Sequence, residues 1–73
     1  MRIRKTEELV NYIRKTRKAR GISQKQLADF TGLQRIGIVR IERGKTEPKL
    51  ETVLRICQML GISLDATSGG TDL

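Results

Sequence analysis

Ile36, Val39, Arg40 and Arg43 recur at i, i+3, i+4 and i+7, so a helix through them would gather all four on one face. That face mixes two chemistries. A guanidinium is planar, permanently charged and donates paired hydrogen bonds, which suits phosphate or a base edge, whereas Ile and Val offer contact area alone. The same helix has a separate core stripe in Ile38 and Ile41, so the mixed face is left over and needs a partner outside the core. The chain carries 15 Lys and Arg against 8 Asp and Glu, for a net charge of +7. Such an excess favours a polyanionic partner, and nucleic acid is the first candidate.

Little else in the sequence can do chemistry. There is no histidine, and the single cysteine, Cys57, has no second cysteine for a disulfide or metal site and no neighbouring base to activate it. No glycine-rich phosphate loop opens a helix. The chain is therefore expected to be no enzyme and to hold no cofactor and no metal, with Cys57 a small buried hydrophobe rather than a redox sensor. Arg2, Arg4 and Lys5 make the N-terminus basic, but no apolar stretch follows them. Neither a secretory signal nor a membrane span is expected, and a reducing cytoplasm fits the cysteine usage.

These residues must be positioned by one small domain, since 73 residues can fill only a single core. Aromatics are 3% of the chain, so that core has to be aliphatic. Residues 1–5 read as a basic arm and residues 6–61 as the folded unit. A first helix is predicted from Thr6 to Arg20, with Leu9, Ile13 and Thr16 inward and Tyr12 beside them, acidic Glu7 and Glu8 in its first turn, and Gly21 beyond its end. Its other face carries Arg14, Lys15 and Lys18, either as solvated charge or as phosphate contacts.

Ser23 and Gln26 have the spacing of a capping box, and Ile22 and Leu27 flank it where a hydrophobic staple would form. The second helix should bury Leu27, Ala28 and Phe30 and stop at Thr31 and Gly32. A third helix over Gln34 to Arg43 follows, closed by Gly44. Gly37 in its interior costs roughly 1 kcal/mol relative to alanine, which predicts a close backbone approach, either from the second helix or from a ligand.

After a loop over Lys45 to Lys49 containing Pro48, Leu50, Val53, Leu54, Cys57 and Leu60 predict a fourth helix that ends before Gly61. Ile56 and Met59 lie off that stripe and are expected at a subunit interface. Residues 62–67 alternate apolar and polar side chains, with Ile62 and Leu64 on one side, which predicts a short strand. A lone strand needs a partner, and the same segment of a second subunit would supply it, giving a homodimer. Residues 68–73 read as a disordered tail.

Two helices joined by a tight glycine turn, the second with an exposed basic face, have the layout that seats a helix in a DNA major groove. With Ser23, Gln24, Leu27, Ala28, Gly32, Ile38, Ile41, Glu42, Arg43, Gly44 and Pro48 at their respective spacings, the stretch from Ile13 to Gly61 resembles the phage repressor and Cro-like helix-turn-helix family, also called the XRE family. The resemblance implies an all-α fold of four to five helices, here with a short C-terminal strand.

It also implies specific roles. Base reading would fall to Arg35, Ile36, Val39 and Arg40. An arginine could donate to guanine O6 and N7 there, and an aliphatic could pack on a thymine methyl. Phosphate binding would fall to Gln24 and Gln34, with charge added by Arg43 and Lys45, and Arg17 and Glu42 would form an internal salt bridge. Gln34 and Lys49 depart from the serine caps common in relatives.

The function implied is sequence-specific binding of double-stranded DNA by a dimeric repressor. The short chain and terminal strand also resemble HipB-like antitoxins, which repress their own operon and bind a toxin partner, often a kinase. A protein-interaction module is the alternative from another class. RNA binding ranks lower because only Tyr12 and Phe30 could stack on bases.

Overall fold

A computed structural model describes residues 2–68 of the chain. Four helices follow in order, α1 (Thr6–Ala19), α2 (Gln24–Thr31), α3 (Arg35–Glu42) and α4 (Leu50–Leu60). The first two starts are dictated locally. Glu8 folds back so that Oε1 accepts from the backbone N–H of Arg4 at 2.7 Å and of Lys5 at 3.0 Å. At α2 the capping box closes in both directions, with Ser23 Oγ accepting from Gln26 N–H at 3.0 Å and Gln26 Oε1 from Ser23 N–H at 2.9 Å. Gln34 and Lys49 begin α3 and α4 without a side-chain cap.

The turn between α2 and α3 depends on Gly32, whose φ of 75° is accessible to glycine at little steric cost. The amides of both Gly32 and Leu33 return to the Ala28 carbonyl, at 2.9 and 3.1 Å. Thr31 is buried and its hydroxyl donates to the Leu27 carbonyl at 2.7 Å, so no polar side chain is stranded at the turn.

Helix α1 packs on α3 and α4, and α2 also packs on α3 and α4, while the backbones of α3 and α4 stay farther apart. The two helices thus lie diagonally across the bundle. The core between them is aliphatic, built from Val10, Ile13, Leu27, Ala28, Ile38, Ile41, Val53, Ile56, Cys57 and Leu60, with Leu9, Ile22, Leu33 and Ile62 at its margin.

Several sequence expectations give way here. Val10 and Arg17 join Ile13 on the buried face of α1, and Tyr12 is exposed. Phe30 is 51% exposed rather than buried. On α4, Ile56 is 1% exposed and belongs to the core, whereas Leu50 and Leu54, expected inside, face solvent at 70% and 44%. Ile56 is therefore withdrawn from any subunit interface.

Among the described residues, none outside its own helix approaches Gly37 closely, since a Cβ built there meets no such atom within 4 Å. The C-terminal strand is not seen either. Residues 62–68 form no ladder, as a single chain offers that segment no partner strand. The tail read over residues 68–73 lies, beyond Ser68, outside the described residues.

Candidate nucleic-acid interface

Helix α3 turns Ile38, Ile41 and Glu42 into the core and leaves Arg35, Ile36 and Arg40 exposed, with Val39 half-buried between them. Ile36 is 54% exposed, one of several large apolar side chains left at the surface. Arg43, the C-cap residue of α3, and Lys45 just beyond it are exposed as well.

The support beneath this face is polar and closed. Arg17 reaches from α1 to Glu42 on α3 with two parallel bonds, Nε to Oε2 at 2.7 Å and Nη2 to Oε1 at 2.9 Å. Its remaining terminal nitrogen, Nη1, donates to the Ile22 carbonyl at 2.7 Å, just ahead of α2. Side-chain exposure is 8% for Arg17 and 4% for Glu42, so the pair is shielded from water.

A bidentate guanidinium–carboxylate pair of this kind fixes orientation as well as distance. It ties α1, the entry to α2 and α3 into one unit, and no buried side-chain nitrogen or oxygen among the described residues lacks a partner. Gln24 Nε2 also donates to Glu42 Oε1 at 3.1 Å. An amide nitrogen has two hydrogens, so one donor of half-buried Gln24 remains for an external acceptor.

Beside this support an open concavity is lined by Arg14, Lys18, Lys25, Arg35 and Arg43 together with Gln24. Arg14 leans on the back of α3, its Nη1 donating to the Glu42 carbonyl at 3.4 Å. Lys25 has a surface ion pair with Asp29 at 3.3 Å. Among the described residues, Lys18, Arg35, Arg40 and Arg43 have no ion pair. The carboxylate on α3 is neutralised internally, so the field outside α3 is positive.

The structure thus brings Arg35, Gln24 and Arg43 to one basic concavity and sets Ile36 and Arg40 on the adjoining ridge. Gln34 is exposed at the start of α3. Arg14, Lys18 and Lys25 join the group. The sequence alone leaves Arg14 and Lys18 between solvated charge and phosphate contact and gives Lys25 no assigned role. Their helical positions carried the signal, but only the packing of α1 and α2 against α3 shows that they converge.

The residues expected at a subunit contact lie elsewhere. Ile62 and Leu64 line a groove with Ile3, Leu9 and Tyr12, and Met59 is half-exposed on α4. Cys57 is buried, and desolvation pushes its thiol pKa up from 9.0. No helix among the described residues is long and apolar enough to cross a membrane, and no group of acidic or cysteine side chains there could hold a metal ion.

Comparison with known proteins agrees with this layout. A family model described as helix-turn-helix matches residues 13–66. An uncharacterized HTH-type transcriptional regulator derived from the SPbeta prophage of Bacillus subtilis is 41% identical over 59 residues, covering 81% of this chain and 55% of the relative. An uncharacterized HTH-type transcriptional regulator of Haemophilus influenzae is 41% identical over 64 residues, covering 88% of this chain and 61% of the relative. The chain therefore spans somewhat more than half the length of these relatives. Among solved structures, a chain described as an MDT protein superposes with a TM-score of 0.85, covering 96% of this chain and 99% of that one at 24% identity. That likeness shows the fold.

Proposed function

Because this chain belongs to the helix-turn-helix family, of XRE type, we propose that it binds duplex DNA sequence-specifically as a dimeric transcriptional repressor, with α3 in the major groove. The observation that carries this reading is the outer face of α3. Exposed Arg35, Ile36 and Arg40 stand there without partners, on a helix locked from behind by the buried Arg17–Glu42 pair.

Burying Ile36 on a thymine methyl and pairing Arg35 or Arg40 with guanine would complete both chemistries of that face at once. Val39 adds contact at the centre. Gln24, Gln34, Arg43 and Lys45, with Arg14, Lys18 and Lys25 behind them, would neutralise backbone phosphates and set the register.

Dimerisation would use Ile62, Leu64 and Met59, now without Ile56. Ile62 and Leu64 lead away from the end of α4, and α4 lies diagonally opposite α3, so pairing there leaves both recognition helices free. A two-fold arrangement of this kind reads an inverted repeat with half-sites about 34 Å apart or a multiple of that.

Selection of bound sequences from a random duplex library at near-physiological salt tests the reading. Enrichment of an inverted repeat supports a specific dimeric repressor, and enrichment of a single half-site keeps the base reading while removing the dimer. A folded protein that enriches nothing overturns sequence-specific binding and moves the antitoxin and protein-interaction readings ahead.

A further inference from the structure

Gly37 lies within α3 with ordinary helical backbone, unlike the positive-φ glycines at the turns. Glycine there weakens the helix relative to alanine, because it has the most backbone freedom to lose. The described fold gains no packing in return, since a Cβ at Gly37 would meet no described atom outside its own helix within 4 Å. A second observation falls on the same spot. An open concavity of about 270 Å³ borders Gly37; Leu33, Ile41 and Pro48 line it, together with the polar Gln34, Arg40 and Thr46. These last three offer hydrogen-bond donors, no carboxylate lines the concavity, and Arg40 makes no ion pair among the described residues.

Resting on the DNA-binding reading above, we propose that Gly37 is the point of closest approach between α3 and one sugar–phosphate strand of the duplex. The concavity receives that strand, and Gln34 and Thr46 donate to its phosphate oxygens, with the Arg40 charge beside them. The chemistry of the rim favours this occupant, because a row of donors with a permanent cation matches a polyanionic backbone. The missing side chain is what lets the helix settle to that depth. Lys18, Gln24 and Arg43 border the basic concavity instead, so α3 is set between two phosphate-binding flanks.

The test is Gly37→Ala and Gly37→Val in the full chain, measured for thermal melting and for affinity toward a duplex selected as above. Alanine meets no described atom outside its own helix in the free protein and is the better helix former, so Gly37→Ala should melt at the same or a higher temperature. Its affinity should fall about ten- to hundredfold, as overfilling a close contact by one methyl does, and Gly37→Val should fall further. Binding and stability thereby move in opposite directions.

Replacing phosphates of the duplex one at a time by uncharged methylphosphonates then identifies the strand, because the wild type loses affinity at a position to which Gly37→Ala is indifferent. Affinity of Gly37→Ala within about twofold of wild type overturns the proposal, that ratio being under 0.5 kcal/mol. A lower melting temperature also overturns it, by showing that the chain itself needs the glycine. A binding loss with every phosphate sensitivity retained overturns the backbone assignment in favour of a base edge. A wild type that binds no duplex overturns the DNA-binding reading itself, an outcome distinct from the other three.

Discussion

Helices α3 and α4 each carry more apolar side chains than one buried stripe can use, and they resolve the surplus in opposite ways. In α3 the surplus is interleaved with arginines, which cannot be buried unpaired, so the inner and outer faces separate cleanly. Ile38 and Ile41 go in, Ile36 stays out, and the one inward-facing charge, Glu42, meets Arg17. In α4 the charged residues, Glu51 and Arg55, lie four apart on one side, and the apolar surplus spreads to both edges of the opposite face. Val53, Cys57 and Leu60 fit a helical stripe completed either by Leu50 and Leu54 or by Ile56, and the structure buries Ile56. Charges on a helix therefore define its faces better than hydrophobic residues do, because the cost of burying an unpaired charge exceeds the gain from burying one more methyl.

The largest expected effect would come from removing the charge that organises α3. Glu42→Ala leaves Arg17 buried with only the Ile22 carbonyl as acceptor and should cost about 3–5 kcal/mol of stability. In a domain of this size that lowers the melting temperature by more than about 10 °C, read by circular dichroism. A loss under 1 kcal/mol would mean that the pair is cosmetic and that α3 is held by Ile38 and Ile41 alone. Loss of DNA binding in this variant would not place Glu42 at the DNA, since the helix that carries Arg35 would have lost its anchor.

The second test addresses α4 directly. Ile56→Ala should cost about 2–5 kcal/mol as a large-to-small change in the core. Leu54→Ala should stay within about 0.5 kcal/mol as a surface change, both read by urea unfolding of the isolated chain. The reverse order would restore the Leu50 and Leu54 stripe and return Ile56 to the surface. A Leu54→Ala penalty that depends on protein concentration would instead place Leu54 at a subunit contact.

A third, smaller effect separates reading from folding on α3. Arg35→Ala should weaken binding to the selected duplex by about 1–3 kcal/mol and relax preference at one base position. Its melting temperature should stay close to wild type, because an exposed arginine without an ion pair supports nothing in the fold. A uniform loss across all duplexes, with a shallower salt dependence, would reassign Arg35 to phosphate.

What the sequence made legible follows the same division. The capping box at Ser23, the glycine turn at Gly32 and the two faces of α3 depend on residues a few positions apart, and all three could be read before any packing was known. Arg17 and Glu42 are 25 residues apart, and only the resemblance to a known family suggested that they meet. The choice of Ile56 over Leu50 and Leu54, the inclusion of Val10, and the exposure of Phe30 are decided by how α1 and α2 bear on their neighbours, which no local spacing encodes. Lys25 has no assigned role in the sequence for the same reason, as its convergence with Arg35 arises between helices. The strand expected at residues 62–67 is not formed among the described residues, because alternation of apolar and polar side chains does not by itself supply a pairing strand.

The smallest expected effect contrasts the buried thiol of α4 with the charged pair under α3. Cys57 is buried without an ion pair, and desolvation raises its folded pKa above the ordinary 9.0. The unfolded thiol then loses its proton first as pH rises. Above pH 9.0 the unfolded state binds fewer protons than the folded state, so stability falls with pH, whereas below that value the thiol contributes no slope. The useful quantity is the difference in unfolding free energy between wild type and Cys57→Ala, which cancels whatever the two chains share. That difference should be constant below pH 9.0 and shrink above it. A difference that stays flat as the solution is made more alkaline would mean that water reaches the thiol, and with it that the inner face of α4 is less tightly closed than the inner face of α3.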